Sequence, residues 1–313
     1  MPEEIAPGVH RLATDYPHVC GLPLWLHVID AGDELVLLDA GIASTPEAAT
    51  GPELRKLGLD LADLTLVVNS HAHPDHMGGN AILKDHSGAR LAAPALEAGW
   101  LEDNEALLAE LWGSDPAALA LDEGERADLL GMLGDRVRVD VLLRDGDLLP
   151  SGERPLRVIT TSGHSPGHIA VLDERTRTLF GFDDVQGRGQ PYLDSSVWLA
   201  PLYTDVERYV VGLNRLLELD FDALVPSHGE VLTADQGRRR ISESLEWVDD
   251  VHELTVMLLR RRGSLTVREL AGAIGTELGD FGGLCLQTVR MARAHLELLA
   301  RQGGAEPRWH HPG

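Results

Sequence analysis

Between Ser70 and Gly79 the chain reads SHAHPDHMGG, which places His71, His73, Asp75 and His76 within six positions. Neutral imidazoles and a carboxylate are the donors that divalent first-row metals take. On an extended chain His71 and His73 point the same way. Pro74 then bends the path, so the cluster can offer ligands to two adjacent cations. A histidine pair alone would be weak ground, because isolated histidines are mostly structural. Three later segments add weight: TTSGHSPGH with His164, LFGFDD with Asp183, and VPSHG with His228. Each closes an apolar run with a ligand-type residue, and Asp184 offers the same chemistry beside Asp183.

Such residues converge only if strands deliver them to one edge. LWLHVID, ELVLLDAG and LTLVVNSH read as short strands, with GVHRLA as an edge strand. Further strands are expected in RVRVDVLL, PLRVITTSGH, HIAVLDE, RTLFGFDD and ALVPSHG. A helix is expected after Thr45-Pro46, with proline in its first turn. Residues 95–133 read as helical and broken near GSDP. After Gly229, Ile241, Leu245, Val248, Val251, Leu254 and Leu258 form one helical stripe. A short helix capped by Ser264 or Thr266 and a last helix closed by Gly303 follow. In α/β sheets, strand ends on one edge share a ligand crevice.

With these motifs in this order, roughly residues 7–232 resemble the metallo-β-lactamase-fold hydrolase superfamily, in its glyoxalase II-like branch. SHAHPDHMGG is similar to its H-x-H-x-D-H signature. TSGHSPGH, LFGFDDVQG and VPSHG resemble its later metal motifs, and VLLDAG resembles an early motif in which an aspartate, here Asp39, ends a strand. The resemblance implies an α/β fold, a four-layer αβ/βα sandwich of two mixed β-sheets flanked by helices. It places a hydrolase domain at 1–234, with a helical insertion at about 95–133, and a helical, winged-helix-like region at 235–313. One metal would take His71, His73 and His164, the other Asp75, His76 and His228, with Asp183 as bridge. The implied cofactors are two divalent ions, zinc foremost with iron or manganese as alternatives, which activate a shared water. Asp75 would also orient that water as the catalytic carboxylate. Asp39 would buttress the metal loop or serve only a turn, and His168 would support rather than ligate. Three positions depart from the family pattern: Ser70, Ser162, and Phe182 where glycine is common. The last leaves Asp184 as an alternative bridge.

The substrate is less legible. Trp100 and Trp112 in the insertion, and Arg188, Tyr192, Trp198 and Tyr203 after the bridging motif, are candidates for a substrate pocket in a chain only 4% aromatic. The insertion's leucines read as packing core. The leading expectation is hydrolysis of a small thioester, ester or lactone with an apolar acyl part. The alternatives are a metal-dependent ribonuclease or phosphodiesterase, and a persulfide dioxygenase-like oxidoreductase with a single iron.

A formal charge of −23 disfavours nucleic-acid binding, which depends on Lys and Arg. No stretch has the length and apolarity of a membrane span. The acidic start MPEEIAPGVHRL lacks an apolar signal core, which with two distant cysteines, Cys20 and Cys285, gives a cytoplasmic expectation. Both thiols are expected to pack as small apolar groups. The Arg238–Arg240 and Arg260–Arg262 triplets read as solvated helix ends, and the C-terminal helices could pair two copies of the chain. His18 and His27 are the other histidines whose segment could border the site.

Overall fold

A computed structural model describes residues 2–16, 21–113, 115–193 and 198–303, so His18 and Cys20 lie outside the described residues. The first sheet runs in sequence order: β1 (Glu3–Ala6), β2 (Val9–Ala13), β3 (Trp25–Asp30), β4 (Leu35–Leu38), β5 (Leu66–Val68), β6 (Arg90–Pro94) and β7 (Val141–Leu143). The second has the order β14-β13-β10-β9-β8 and is built from β8 (Leu156–Thr160), β9 (Ile169–Asp173), β10 (Thr178–Phe182), β13 (Ala223–Pro226) and β14 (Leu232–Thr233). A ribbon of β11 (Gln190–Pro191) and β12 (Trp198–Leu199) stands apart. Both main sheets are mixed: β4, β5, β6 and β7 pair in parallel, as do β10 and β13.

Side-chain alternation builds the layers. Val36, Leu38, Leu66 and Val68 face Val158, Val171, Phe180 and Val225 between the sheets. Their neighbours Leu37, Val67 and Leu91 face outward into a helical layer. That layer holds α1 (Gly51–Lys56), α2 (Pro74–Met77), α3 (Asn80–Ser87), α4 (Ala98–Glu102), α5 (Asn104–Leu107) and α6 (Glu123–Leu133). Ile159, Ala170, Leu179 and Leu224 face outward on the other side. There they meet α7 (Val206–Glu218), α8 (Ala234–Arg262), α9 (Val267–Glu277) and α10 (Leu286–Arg301). The outcome is the expected four-layer sandwich. The stripe from Ile241 to Leu258 packs into one core with α7 and the second sheet. A Cβ at Gly237 of α8 would sit 2.8 Å from the Leu224 side chain, so glycine lets this helix lie directly on β13.

Helix ends follow local rules. Asp122, Thr233 and Thr266 each form a capping box, worth about 1 kcal/mol. Thr266 takes the role that the sequence left between it and Ser264. Gly263 (φ 81°) ends α8 just after its three arginines.

Four expectations need correction. GVHRLA is not an edge: β2 pairs on both sides, and the acidic EEIA strand β1 covers it. Charge suits β1 to an exposed edge and also hides it from hydrophobicity patterns. RVRVDVLL yields only three strand residues, because among the described residues β7 pairs only with the end of β6. Arg238 is no solvated end: it donates to the Leu217 and Leu219 carbonyls at the C-terminus of α7. Cys285 is not core either; it is partly exposed at the N-cap of α10.

Candidate metal centre

Parallel register aligns the strand ends. Leu38 lies beside Val68, so Asp39 and the loop starting at Asn69 leave the first sheet together. Phe182 lies beside Pro226, so Asp183 and the Ser227-His228 pair leave the second sheet together. Two backbone hydrogen bonds tie the sheets at this edge: Ile169 N–H to the Ser70 carbonyl (3.1 Å) and Trp25 N–H to the Ser227 carbonyl (3.0 Å). Three residues here hold non-glycine left-handed backbone: Asp39 (φ 61°), Ser162 (52°) and Phe182 (46°). Phe182 stands where glycine would be unstrained, and burial of its ring in the inter-sheet core offsets the cost.

Three ring nitrogens converge. His73 Nδ1 is 2.9 Å from His71 Nε2 and 2.9 Å from His164 Nε2. The outer nitrogens assign the tautomers. His164 Nδ1 donates to the Leu202 carbonyl (3.1 Å), and His228 Nδ1 to the Pro23 carbonyl (2.7 Å). His76 Nδ1 donates to Asp39 Oδ2 (2.8 Å). Asp39 also accepts from Ser70 N–H and Ser70 Oγ–H, which leaves Ser70 Oγ to accept from His71 Nδ1 (2.9 Å). In His71 and His164, held neutral by burial, the inner nitrogen therefore turns its lone pair into the cluster, whereas the inner nitrogens of His76 and His228 face carboxylates.

The second group opposes carboxylates to histidines. Asp75 Oδ2 is 3.5 Å from His76 Nε2 and 3.4 Å from His228 Nε2. Asp183 Oδ2 lies 3.4 Å from His76 Nε2, 3.7 Å from His164 Nε2 and 3.6 Å from His228 Nε2, at the centre of the cluster. Asp184 turns away: it accepts from His164 N–H (2.8 Å) and faces His168 Nδ1 (2.8 Å). The geometry thus favours Asp183 over Asp184 as the shared carboxylate. His168 stays outside the ligand groups, with its Nε2 accepting from Asp183 N–H (3.3 Å).

These residues fit divalent cations. His71, His73 and His164 form one donor group, His71, His76 and Asp183 a second, and Asp75, His76 and His228 a third. His76 Nε2 and Asp183 Oδ1 are buried without a hydrogen-bond partner, a costly arrangement unless a cation completes it. Burial, reinforced by neighbouring histidines, holds His71 far below its usual pKa, and burial lowers His164 to about 4. Burial works against charge on Asp75 and Asp183 too, but His76 and His228 outweigh it and hold both carboxyls ionised. Conversely Asp183 and Asp75 overcome burial at His228 and push it up to about 10. A cation placed here satisfies the same charges that these shared protons do.

The cluster floors a cavity of about 300 Å³. Of the six expected pocket residues, Trp112 and Tyr192 line it, and Trp112 meets His73 edge-on with ring centroids 5.6 Å apart. The other four stand outside its lining. Trp100 donates to Glu110 and packs on the helical layer. Arg188 pairs with Asp250, and half-exposed Trp198 donates its backbone N–H to the Asp280 carbonyl. Tyr203 is fully buried, stacked on Tyr209 and hydrogen bonded to His295 Nε2 (2.7 Å). His27 is buried between the sheets against Phe180, away from the cavity. The wall comes instead from Leu22, Leu129, Met132, Leu199, Leu202 and Leu286, with Gln186 and Gln287 as polar points. Leu129 and Met132 belong to the insertion, whose leucines read as packing core, and Leu286 and Gln287 had no signal, being ordinary residues at the start of a distant helix.

The model of the Metallo-beta-lactamase superfamily matches residues 24–228. The chain belongs to that superfamily. It is similar to the Gallus gallus acyl-coenzyme A thioesterase MBLAC2, 31% identical over 260 residues that cover 80% of this chain and 84% of the other. Against a hydroxyacylglutathione hydrolase of Methylococcus capsulatus it is 27% identical, over 72% of this chain and 71% of the other. A solved metallo-beta-lactamase family protein from Thermus thermophilus shares the fold, with a TM-score of 0.76 and 22% identity over 97% of this chain and 98% of that one. That likeness extends through the C-terminal helices. The chain is a metal-dependent hydrolase of this superfamily, with His/Asp clusters suited to divalent ions. Among the described residues no helix is long and apolar enough to cross a membrane.

Proposed function

We propose that this superfamily member hydrolyses a small acyl substrate with an apolar acyl portion, a thioester before an ester or lactone. The carrying observation is the position of the donor cluster at the floor of a cavity whose wall is mostly aliphatic. The similarity to proteins named as a thioesterase and a hydroxyacylglutathione hydrolase points the same way. We assign two ions, zinc first, to His71, His73 and His164 and to Asp75, His76 and His228, with Asp183 between them. When bound, such ions supply a nucleophile from water at neutral pH and an electrophile for the acyl carbonyl.

The chain's own groups do the rest. Asp75 is the least buried ligand and lines the cavity, so its ionised carboxylate can accept a hydrogen bond from the attacking water and aim it. Leu22, Leu129, Met132 and Leu199 take the acyl chain and exclude bulk water. Gln186 Oε1 accepts from Leu202 N–H (2.7 Å), which fixes the amide and leaves Nε2 as a donor for a polar substrate atom.

The test is a panel of acyl thioesters, lactones and aryl esters, with metal-loaded and metal-stripped protein. Metal-dependent turnover that favours thioesters supports the reading. No turnover above the stripped protein ends it. One iron per chain with persulfide oxidation, or metal-dependent RNA cleavage, would replace it.

A further inference from the structure

Glu97 is fully buried and belongs to no ligand group. It occupies the N-cap position of α4 yet makes no capping hydrogen bond with that helix. Its carboxylate is spent elsewhere. Oε2 accepts from Ala72 N–H (2.7 Å), between His71 and His73 in the chain. Oε1 accepts from Ser165 Oγ–H (2.5 Å), next to His164, and from Gly167 N–H (2.6 Å), next to His168. One carboxylate thus joins the ligand loop of the first sheet to that of the second, and the loops it joins carry all three members of the three-histidine group. The approach is close enough to dictate sequence: a Cβ on Gly167 would sit 2.8 Å from Glu97 Cγ.

We propose that Glu97 is a positioning residue that sets the spacing of His71, His73 and His164, and so the metal affinity and coordination geometry of that group. The proposal rests on the assignment of those histidines as metal ligands. Both oxygens must accept. An amide nitrogen here would meet the Ala72 N–H in one orientation and the Gly167 N–H in the other, so Glu97→Gln is no neutral isostere. Removing a group that orients ligands costs about 10–100-fold in metal affinity.

The experiment measures zinc affinity by competition with a chromophoric chelator, and the visible spectrum of the cobalt(II)-loaded protein. Wild type, Glu97→Gln and Ser165→Ala are compared well below their melting temperatures, with circular dichroism of each metal-free protein to confirm folding. The expected result is roughly 10–100-fold weaker zinc binding for Glu97→Gln, a smaller loss for Ser165→Ala, and altered cobalt bands in both. A merely structural Glu97 would lower the melting temperature of the metal-free protein and leave affinity and spectrum unchanged, which would overturn the proposal. If Glu97→Gln does not fold, Ser165→Ala decides alone, since it removes one of three bonds. Wild-type protein that takes up neither cation would instead refute the ligand assignment.

Discussion

The floor and the wall of the cavity are built on opposite plans. On the floor, each imidazole assigned to a cation except His73 has its outer nitrogen held by a named partner, as with Asp39 on His76 and the Pro23 carbonyl on His228. The wall is mostly aliphatic, with side chains from segments far apart in sequence, such as Leu22, Leu129 and Leu286, set beside the rings of Trp112 and Tyr192. A floor of this kind tolerates almost no change, because each ligand has one workable orientation. A wall of this kind can be re-cut by volume alone, which is how a superfamily keeps one reaction centre and changes its substrate.

Substitutions should separate the two. The largest effect is expected from His164→Ala, which removes a ligand: kcat/KM should fall by roughly a thousandfold or more, together with metal content. Asp39→Asn should come next, weakening metal binding about 10–100-fold by freeing the His76 ring, as read by chelator competition. Wall substitutions should behave differently. Met132→Ala or Leu286→Ala should shift the preferred acyl length by about tenfold in kcat/KM at unchanged metal content. A wall substitution that depleted the metal would break the distinction.

Tyr203 tests the boundary, since it was expected in the wall and lies in the core. Tyr203→Phe should cost about 1 kcal/mol of stability by denaturant titration and leave the substrate profile alone. Its partner His295 adds a pH signature. Burial lowers that imidazole to about 3, against about 6.5 when unfolded. The unfolded chain therefore binds the extra proton between these values, so His295 favours the fold fully above about pH 6.5 and progressively less as pH falls toward 3. His295→Gln should flatten that part of the stability profile. The smallest effect is expected for Trp198→Ala: less than twofold in turnover, because the ring stands half-exposed outside the cavity.

Legibility in the sequence follows the same division. His71, His73, Asp75, His76, His164, Asp183 and His228 were readable because ligand-type residues at the ends of apolar runs are unusual, and strand alternation predicted the layers that bring them together. Asp183 could not be told from Asp184 by type; only the turn after Phe182 distinguishes them. Glu97 was invisible, since a glutamate at the start of a helix is what capping and dipole preferences already favour. The wall was misread for a related reason. Aromatic residues draw attention, yet Trp100 lies partly buried against the helical layer and Tyr203 is buried in a core, while Leu286 reaches the cavity through a tertiary contact that no local pattern encodes.

The two main sheets divide the chain cleanly: one is drawn from residues 3–143, the other from 156–233. Each can assemble from a continuous stretch, with loop closures that stay within its own half. The ligand set cannot, because His71, His73, Asp75 and His76 come from the first stretch and His164, Asp183 and His228 from the second. A divalent ion held by that set would therefore tie the two stretches together at the sheet edge, adding to the hold of the core they share, and its removal should lower the melting temperature of the whole sandwich.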